Sequence, residues 1–193
     1  MNVSQDIFRA YDIRGVYGSE LNAEIGEQVG LVFGNYLRKS QSKGTVSIGC
    51  DARISSPELQ EAVSKGISRA GFNVDVIGMV PIPVANFCTW KAGLGDNSYI
   101  AGVYITASHN PAEYNGIRFR HPDGAGYTEG NIEIKRMFFE EQAEEHSEHG
   151  KINILSTEGM LSEYTDFVKS KMNDLSGMNI AIDPGNGVGS VII

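Results

Sequence analysis

Apolar residues at Ile25, Val29, Val32, Phe33, Tyr36 and Leu37 recur at the spacing of one helical face, behind Asn22, whose side chain suits an N-cap. The pattern stops before the polar run 40–44, which ends the predicted helix. The apolar run Thr45–Cys50 then reads as a buried strand, and Pro57, just after Ser55 and Ser56, marks the first turn of a helix running to Ala70 and Gly71. Asn73–Gly78 reads as a second buried strand, Pro83–Lys91 as a short helix and Tyr99–Ile105 as a third strand. Strands alternating with helices in this way predict an α/β layered domain.

Farther along, Gly116–Arg120 alternates like a half-exposed strand, Asp123 and Gly124 suit a turn, and Asn131–Glu145 has the spacing of an amphipathic helix. The acidic run Glu140–Gly150 reads as a helix end and linker, dividing a first domain, 1–150, from a second unit, 151–193. In that unit Leu161, Tyr164, Phe167, Val168 and Met172 predict a helix. Met178–Asp183 predicts a buried strand that enters the glycine-rich turn Pro184–Gly189. A strand, a turn and the start of a helix cannot bury their apolar faces alone, so the second α/β domain is expected to be truncated and its exposed surface prone to aggregation.

Composition narrows the class. Of the 193 residues 41% are hydrophobic and 21% charged, which suits a folded globular protein and excludes a disordered or fibrous chain. A net charge of −8 opposes electrostatic binding to nucleic acid or to anionic lipid, although Arg14, Arg53 and Arg118 could still make a local anion site. Cys50 and Cys88 have neither metal-binding nor disulfide spacing and are expected as reduced core residues. The opening residues lack a secretory pattern, and the longest uncharged run, 76–90, is short and contains Pro81 and Pro83. No membrane association and a cytoplasmic location are therefore expected, and the sequon Asn2-Val3-Ser4 has no consequence there.

Ser108 follows the predicted strand Tyr99–Ile105, at the carboxyl edge where open α/β sheets place their ligands. His109, Asn110 and Asn115 put hydrogen-bonding groups around it and Pro111 stiffens the turn; this suits a phosphate ester, and it equally suits a polar turn. The segment is not a G-x-S-x-G elbow, and from extended backbone His109 is not expected to turn back onto Ser108, which disfavours a serine hydrolase. Arg14 could grip a phosphate bidentately, or simply pair with Asp12 at the surface. Asp51 and Arg53 follow the first confident strand and are expected at the same sheet edge, with Ser55 or Ser56 capping the next helix. Gly185–Ser190 departs from a dinucleotide fingerprint, and His146 and His149 sit in an acidic run without a third type of metal ligand.

Three separated segments, Phe8–Gly15, Gly49–Ser56 and Thr106–Gly116 with its T-A-S-H-N-P run before Asn115 and Gly116, together resemble the phosphoglucomutase/phosphomannomutase family of α-D-phosphohexomutases. Residues 178–190 resemble the opening of that family's second domain. The resemblance implies a first domain made of a layered mixed sheet with helices on both faces, within a four-domain enzyme. The chain is then expected to be an N-terminal fragment, with the C-terminal domains possible as a separate chain.

The same resemblance implies an isomerase of the intramolecular phosphotransferase type. Ser108 would be the phosphoserine, moving phosphate between C1 and C6 of a hexose phosphate through a hexose 1,6-bisphosphate, which also acts as activator. Magnesium would be held by a phosphate oxygen on Ser108 and by aspartates of a loop that this sequence lacks. Arg14, His109 and Arg118 would be catalytic, and Tyr11, Arg14 and Asn110 would contact substrate. Arg118 stands where the family often has a lysine linked to proton transfer, and a guanidinium stays protonated, so charge stabilisation is the role expected of it. The choice between glucose, mannose and other hexoses is not legible. Two rival expectations are a catalytically inactive fragment or binding module, and a phosphatase that uses Ser108.

Overall fold

A computed structural model describes residues 3–40, 42–92 and 99–193. Its strands are β1 (Ile13–Val16), β2 (Thr45–Cys50), β3 (Asn73–Met79), β4 (Tyr99–Ile105), β5 (Tyr114–Arg120) and β6 (Ile152–Ile154). Its helices are α1 (Ala23–Lys39), α2 (Ser56–Arg69), α3 (Ile82–Ala92), α4 (Glu129–Glu140) and α5 (Thr157–Lys169). All six strands join one mixed sheet in the order β1-β5-β4-β2-β3-β6, with β5 antiparallel to both its neighbours and the other pairs parallel.

Alternation along the strands sends side chains to two cores. Ile13, Val46, Ile48, Ile117 and Phe119 meet α1, α2 and α4 on one face, where Phe33 stacks on Phe119 at 4.0 Å between ring centroids. Ile77, Val80 and Tyr104 meet α3 and α5 on the other, beside Val84, Cys88 and Met160. The mixed sheet covered on both faces agrees with the expected fold class. Asn22 caps α1 as expected, its Oδ1 accepting from the Ile25 N–H at 2.9 Å. Gly30 and Gly66 let α1 and α2 approach closely, since a Cβ on either would overlap backbone of the other helix.

One strand was not expected: Ile13–Val16 form β1, paired with β5. Two expected elements need correction. The helix expected over Asn131–Glu145 starts earlier and ends at Glu140, where Glu141 turns to extended backbone and accepts from Lys39 and Arg136. The next residues run back across the α1 and α2 termini, with the His146 N–H donating to the Arg69 carbonyl and the Gly150 N–H to that of Ser68, each at 2.8 Å. They lead into β6, which pairs with β3, so the sheet includes residues past 150.

The strand expected at Met178–Asp183 does not form, and Met178, Ile180 and Ile182 are 62–65% exposed. Among the described residues no strand pairs with this segment, and an unpaired strand gains nothing over solvated irregular backbone. Cys50 and Cys88 are free and buried, as expected. Among the described residues no helix is long and apolar enough to cross a membrane.

Candidate active site

Between β4 and β5 the chain makes a tight loop whose centre, Ser108, has a φ of 57°. A serine takes this left-handed conformation only when its surroundings impose it. Within the loop the Ser108 N–H donates to Thr106 Oγ1 at 2.9 Å, the Asn110 N–H to the Ala107 carbonyl at 3.1 Å and the Tyr114 N–H to the Pro111 carbonyl at 3.1 Å.

Arg53, at the end of β2, completes the restraint. Its Nη1 donates to the carbonyls of Pro111 at 2.6 Å and Tyr114 at 3.0 Å, and its Nη2 to those of Ser108 at 3.1 Å and Asn110 at 2.7 Å. Its Nε donates to Asp51 Oδ2 at 3.2 Å, so every N–H of this guanidinium is engaged. Asp51 also accepts from the hydroxyls of Thr106 and Ser56, both at 2.6 Å, and from the Arg53 N–H at 3.1 Å. Arg53 is therefore a clamp on the loop backbone, which corrects the expectation that it could serve as an anion ligand.

Ser55 takes the N-cap position of α2, as expected, but its side chain makes no cap bond there. The hydroxyls of Ser55 and Ser56 accept from the Asn115 amide at 2.8 and 3.0 Å, while Asn115 Oδ1 accepts from the Gly116 N–H at 2.8 Å. Asn115 is fully buried, and a buried amide needs this full set of partners. At Gly116 a Cβ would lie 2.5 Å from the Ile13 carbonyl oxygen and 2.8 Å from that of Thr106, so no side chain fits where β1, β5 and the loop converge.

With the carbonyls drawn inward, Ser108 and His109 are exposed. His109 Nδ1 lies 3.3 Å from Ser108 Oγ, a contact that extended backbone would not give and that the left-handed turn at Ser108 makes possible. Arg14, on β1, donates through Nη1 to Asn110 Oδ1 at 2.5 Å and through Nη2 to Asp12 Oδ2 at 2.5 Å. The Asp12 pair is buried, not a surface bridge: Asp12 is 6% exposed. Arg118 Nε lies 4.0 Å from the same carboxylate. Tyr11 is 65% exposed in the segment before β1.

A cavity of about 720 Å³ opens beside the loop, lined by Arg53, Thr106, Ser108, Asn110, Arg118 and Asn186 among others. Tyr104 also borders it; its hydroxyl donates to the Val80 carbonyl at 2.6 Å, and burial raises its pKa, so it stays protonated. Of the residues expected at the site, Ser108, Asn110 and Arg118 thus share one cavity. Arg14 reaches it through Asn110, His109 touches Ser108, and Tyr11 lies outside the lining. Sequence reasoning missed the roles of Asp51, Thr106 and Asn115 and misread that of Arg53. The signal available was an Asp-x-Arg triplet directly after a strand, but its partners are mostly backbone carbonyls, which no side-chain pattern reports.

Among the described residues no group of three or more His, Cys, Asp or Glu side chains is placed to hold a metal ion. Asp12 and Asp51, which pair with the arginines that contact the loop, are both held by guanidiniums. The residues of this chain therefore do not by themselves fit the expected magnesium, for which a phosphorylated Ser108 would be the lone ligand.

A sequence model described as phosphoglucomutase/phosphomannomutase, alpha/beta/alpha domain I, matches residues 5–145. The chain is 34% identical over 185 residues to a probable phosphoglucosamine mutase from Pyrococcus horikoshii, covering 96% of this chain and 39% of that protein. It is 33% identical to a phosphoglucomutase from Neisseria meningitidis serogroup B, covering 97% and 39%, and 34% identical to a phosphomannomutase/phosphoglucomutase from Pseudomonas aeruginosa, covering 96% and 38%. The crystal structure of a phosphoglucomutase/phosphomannomutase family protein from Burkholderia thailandensis superposes with a TM-score of 0.77 at 30% identity, over 89% of this chain and 37% of that one. The chain thus spans about two fifths of the length of the curated relatives it matches.

Proposed function

The chain belongs to the phosphoglucomutase/phosphomannomutase family, and from that membership we propose that Ser108 carries a phosphoryl group exchanged with a hexose phosphate, as one step of a phosphohexomutase reaction. The observation that supports this most is how Ser108 is presented. Its backbone is fixed by Arg53 and Thr106 in a left-handed turn, while its hydroxyl is exposed beside an open cavity.

In the forward half-reaction the bond between Ser108 Oγ and phosphorus breaks and a bond from a sugar hydroxyl oxygen to phosphorus forms, giving the bisphosphate. The sugar hydroxyl loses its proton as Ser108 accepts the electron pair and then a proton. His109, 3.3 Å from Oγ, is the side chain within reach of that proton. The Arg118 guanidinium would stabilise charge on the moving phosphoryl oxygens, and Arg14 would hold Asn110 toward the substrate. Magnesium would add neutralising charge at a phosphorylated Ser108, and the hexose 1,6-bisphosphate would supply the first phosphoryl group.

A second reading, a phosphoserine-bearing module without turnover, is favoured by one feature: among the described residues no group of three or more His, Cys, Asp or Glu side chains is placed to hold a metal ion. One experiment separates the readings. The chain is incubated with glucose 1,6-bisphosphate, mapped by mass spectrometry across residues 99–120, and assayed for conversion of glucose 1-phosphate and mannose 1-phosphate. Phosphate on Ser108 with turnover supports the mutase, and phosphate without turnover supports the module. An unmodified Ser108 in a folded chain sinks both.

A further inference from the structure

Arg118 and Arg120 alternate on β5, so both side chains leave the same face of the sheet, and Arg14 joins them from β1, where it lies opposite Gly116. The opposite face of these strands is core, filled by Ile13, Ile117 and Phe119. Three guanidiniums therefore share one outward face, with Asp12 as the carboxylate between them, 2.5 Å from Arg14 and 4.0 Å from Arg118.

Arg53 shows what a structural arginine looks like here, with every N–H engaged. Arg118 and Arg120 differ: among the described residues neither guanidinium donates a hydrogen bond to the protein, and the Nε of each is buried without a partner. Burial, and next the charge of Arg118, lower the pKa of Arg120. Two part-buried cations side by side, neither hydrogen-bonded to Asp12, cost free energy that a bound anion would recover. Planar guanidiniums match phosphate oxygens in geometry as well as in charge.

We infer that Arg118 and Arg120 form a subsite for a phosphate dianion on the outer face of β5, Arg118 lining the Ser108 cavity and Arg120 standing two residues farther along the strand, beyond that lining. The identity of that anion as a sugar phosphate rests on the proposed function; the subsite itself does not need Ser108.

The test uses the full chain carrying Ser108→Gly, which accepts the left-handed backbone and cannot be phosphorylated there. It is titrated calorimetrically with inorganic phosphate and with glucose 1,6-bisphosphate. Saturable binding of both is expected, weakened about tenfold or more by Arg120→Gln and less by Arg120→Lys, which keeps the charge and loses the fork. Lys43→Gln removes the same charge from the exposed loop before β2, at the far end of that strand from Ser108, and should leave affinity unchanged.

A thermal melt confirms that each variant folds. If Arg120→Gln does not, Gly126→Ala replaces it, since a Cβ there would lie 2.9 Å from Arg120 Nη1 and displace the guanidinium without changing charge. No binding, unchanged affinity when Arg120 is replaced or displaced, or equal weakening by Lys43→Gln overturns the subsite. Phosphorylation of Ser108 in the parent chain is scored separately. Its presence with affinity insensitive to Arg120 rejects only this inference, and its absence with sensitive affinity rejects only the phosphoserine reading.

Discussion

Arg53 Nη2 donates to the carbonyl oxygen of Ser108 at 3.1 Å, so the serine is held by its backbone while its side chain stays exposed beside His109. The same side chain pairs with Asp51, and both are nearly buried, 12% and 13% exposed. Arg53→Ala would release four carbonyls and leave Asp51 without its cation, which is expected to cost about 3–5 kcal/mol in urea unfolding near neutral pH. Arg53→Lys keeps a cation but cannot span four acceptors, and should fall between. An unchanged urea midpoint for Arg53→Ala would mean that the loop holds itself.

The φ of 57° at Ser108 carries its own prediction. Glycine pays no steric penalty in that region and alanine does, so Ser108→Gly should be more stable than Ser108→Ala by about 1 kcal/mol. At an ordinary extended or helical position the order would be reversed or flat. Equal midpoints for the two variants in urea would show that the turn relaxes once the hydroxyl is gone.

Much of the fold was legible because α1, α2, β2, β3 and β4 each carry a clean apolar period of their own. The two edge strands were not: β1 is four residues long with Arg14 and Gly15 at its centre, and β6 is three exposed residues, Ile152–Ile154. Their identity as strands comes from the neighbours they pair with, Gly116 and Val76 among them, which is tertiary information. Conversely, Met178–Asp183 has the period of a strand and, among the described residues, lacks a neighbour. At the site, Ser108 and its flanking polar groups could be read from their place after β4. The contact from His109 could not, because it depends on one backbone angle.

Gly116 tests whether β1 and the loop are coupled. The atoms that a Cβ would strike, the carbonyl oxygens of Ile13 and Thr106, are backbone and cannot swing aside, so Gly116→Ala must move either β1 or the loop. Overpacking of this kind is expected to cost about 1–3 kcal/mol. If the loop moves, the rate of Ser108 phosphorylation by glucose 1,6-bisphosphate should fall as well. A destabilised variant with an unchanged rate would place the whole displacement in β1.

The buried thiols predict an alkaline limit. Burial pushes Cys50 from an ordinary 9.0 up to about 12, and Cys88 from the same value up to about 11. Below pH 9 both thiols are protonated whether the chain is folded or not, and they add no pH dependence. Above it the unfolded chain loses these protons while the folded chain keeps them, so the unfolded state binds fewer protons and stability falls as pH rises, until about 11 for Cys88 and about 12 for Cys50. Urea midpoints should therefore decline more steeply above pH 9 in the parent than in a Cys50→Ala, Cys88→Ala double variant. A thiol reagent should label the folded parent only as fast as it opens. Parallel declines in parent and variant, or immediate labelling of the folded chain, would mean that the thiols are not sealed in the two cores as the structure has them.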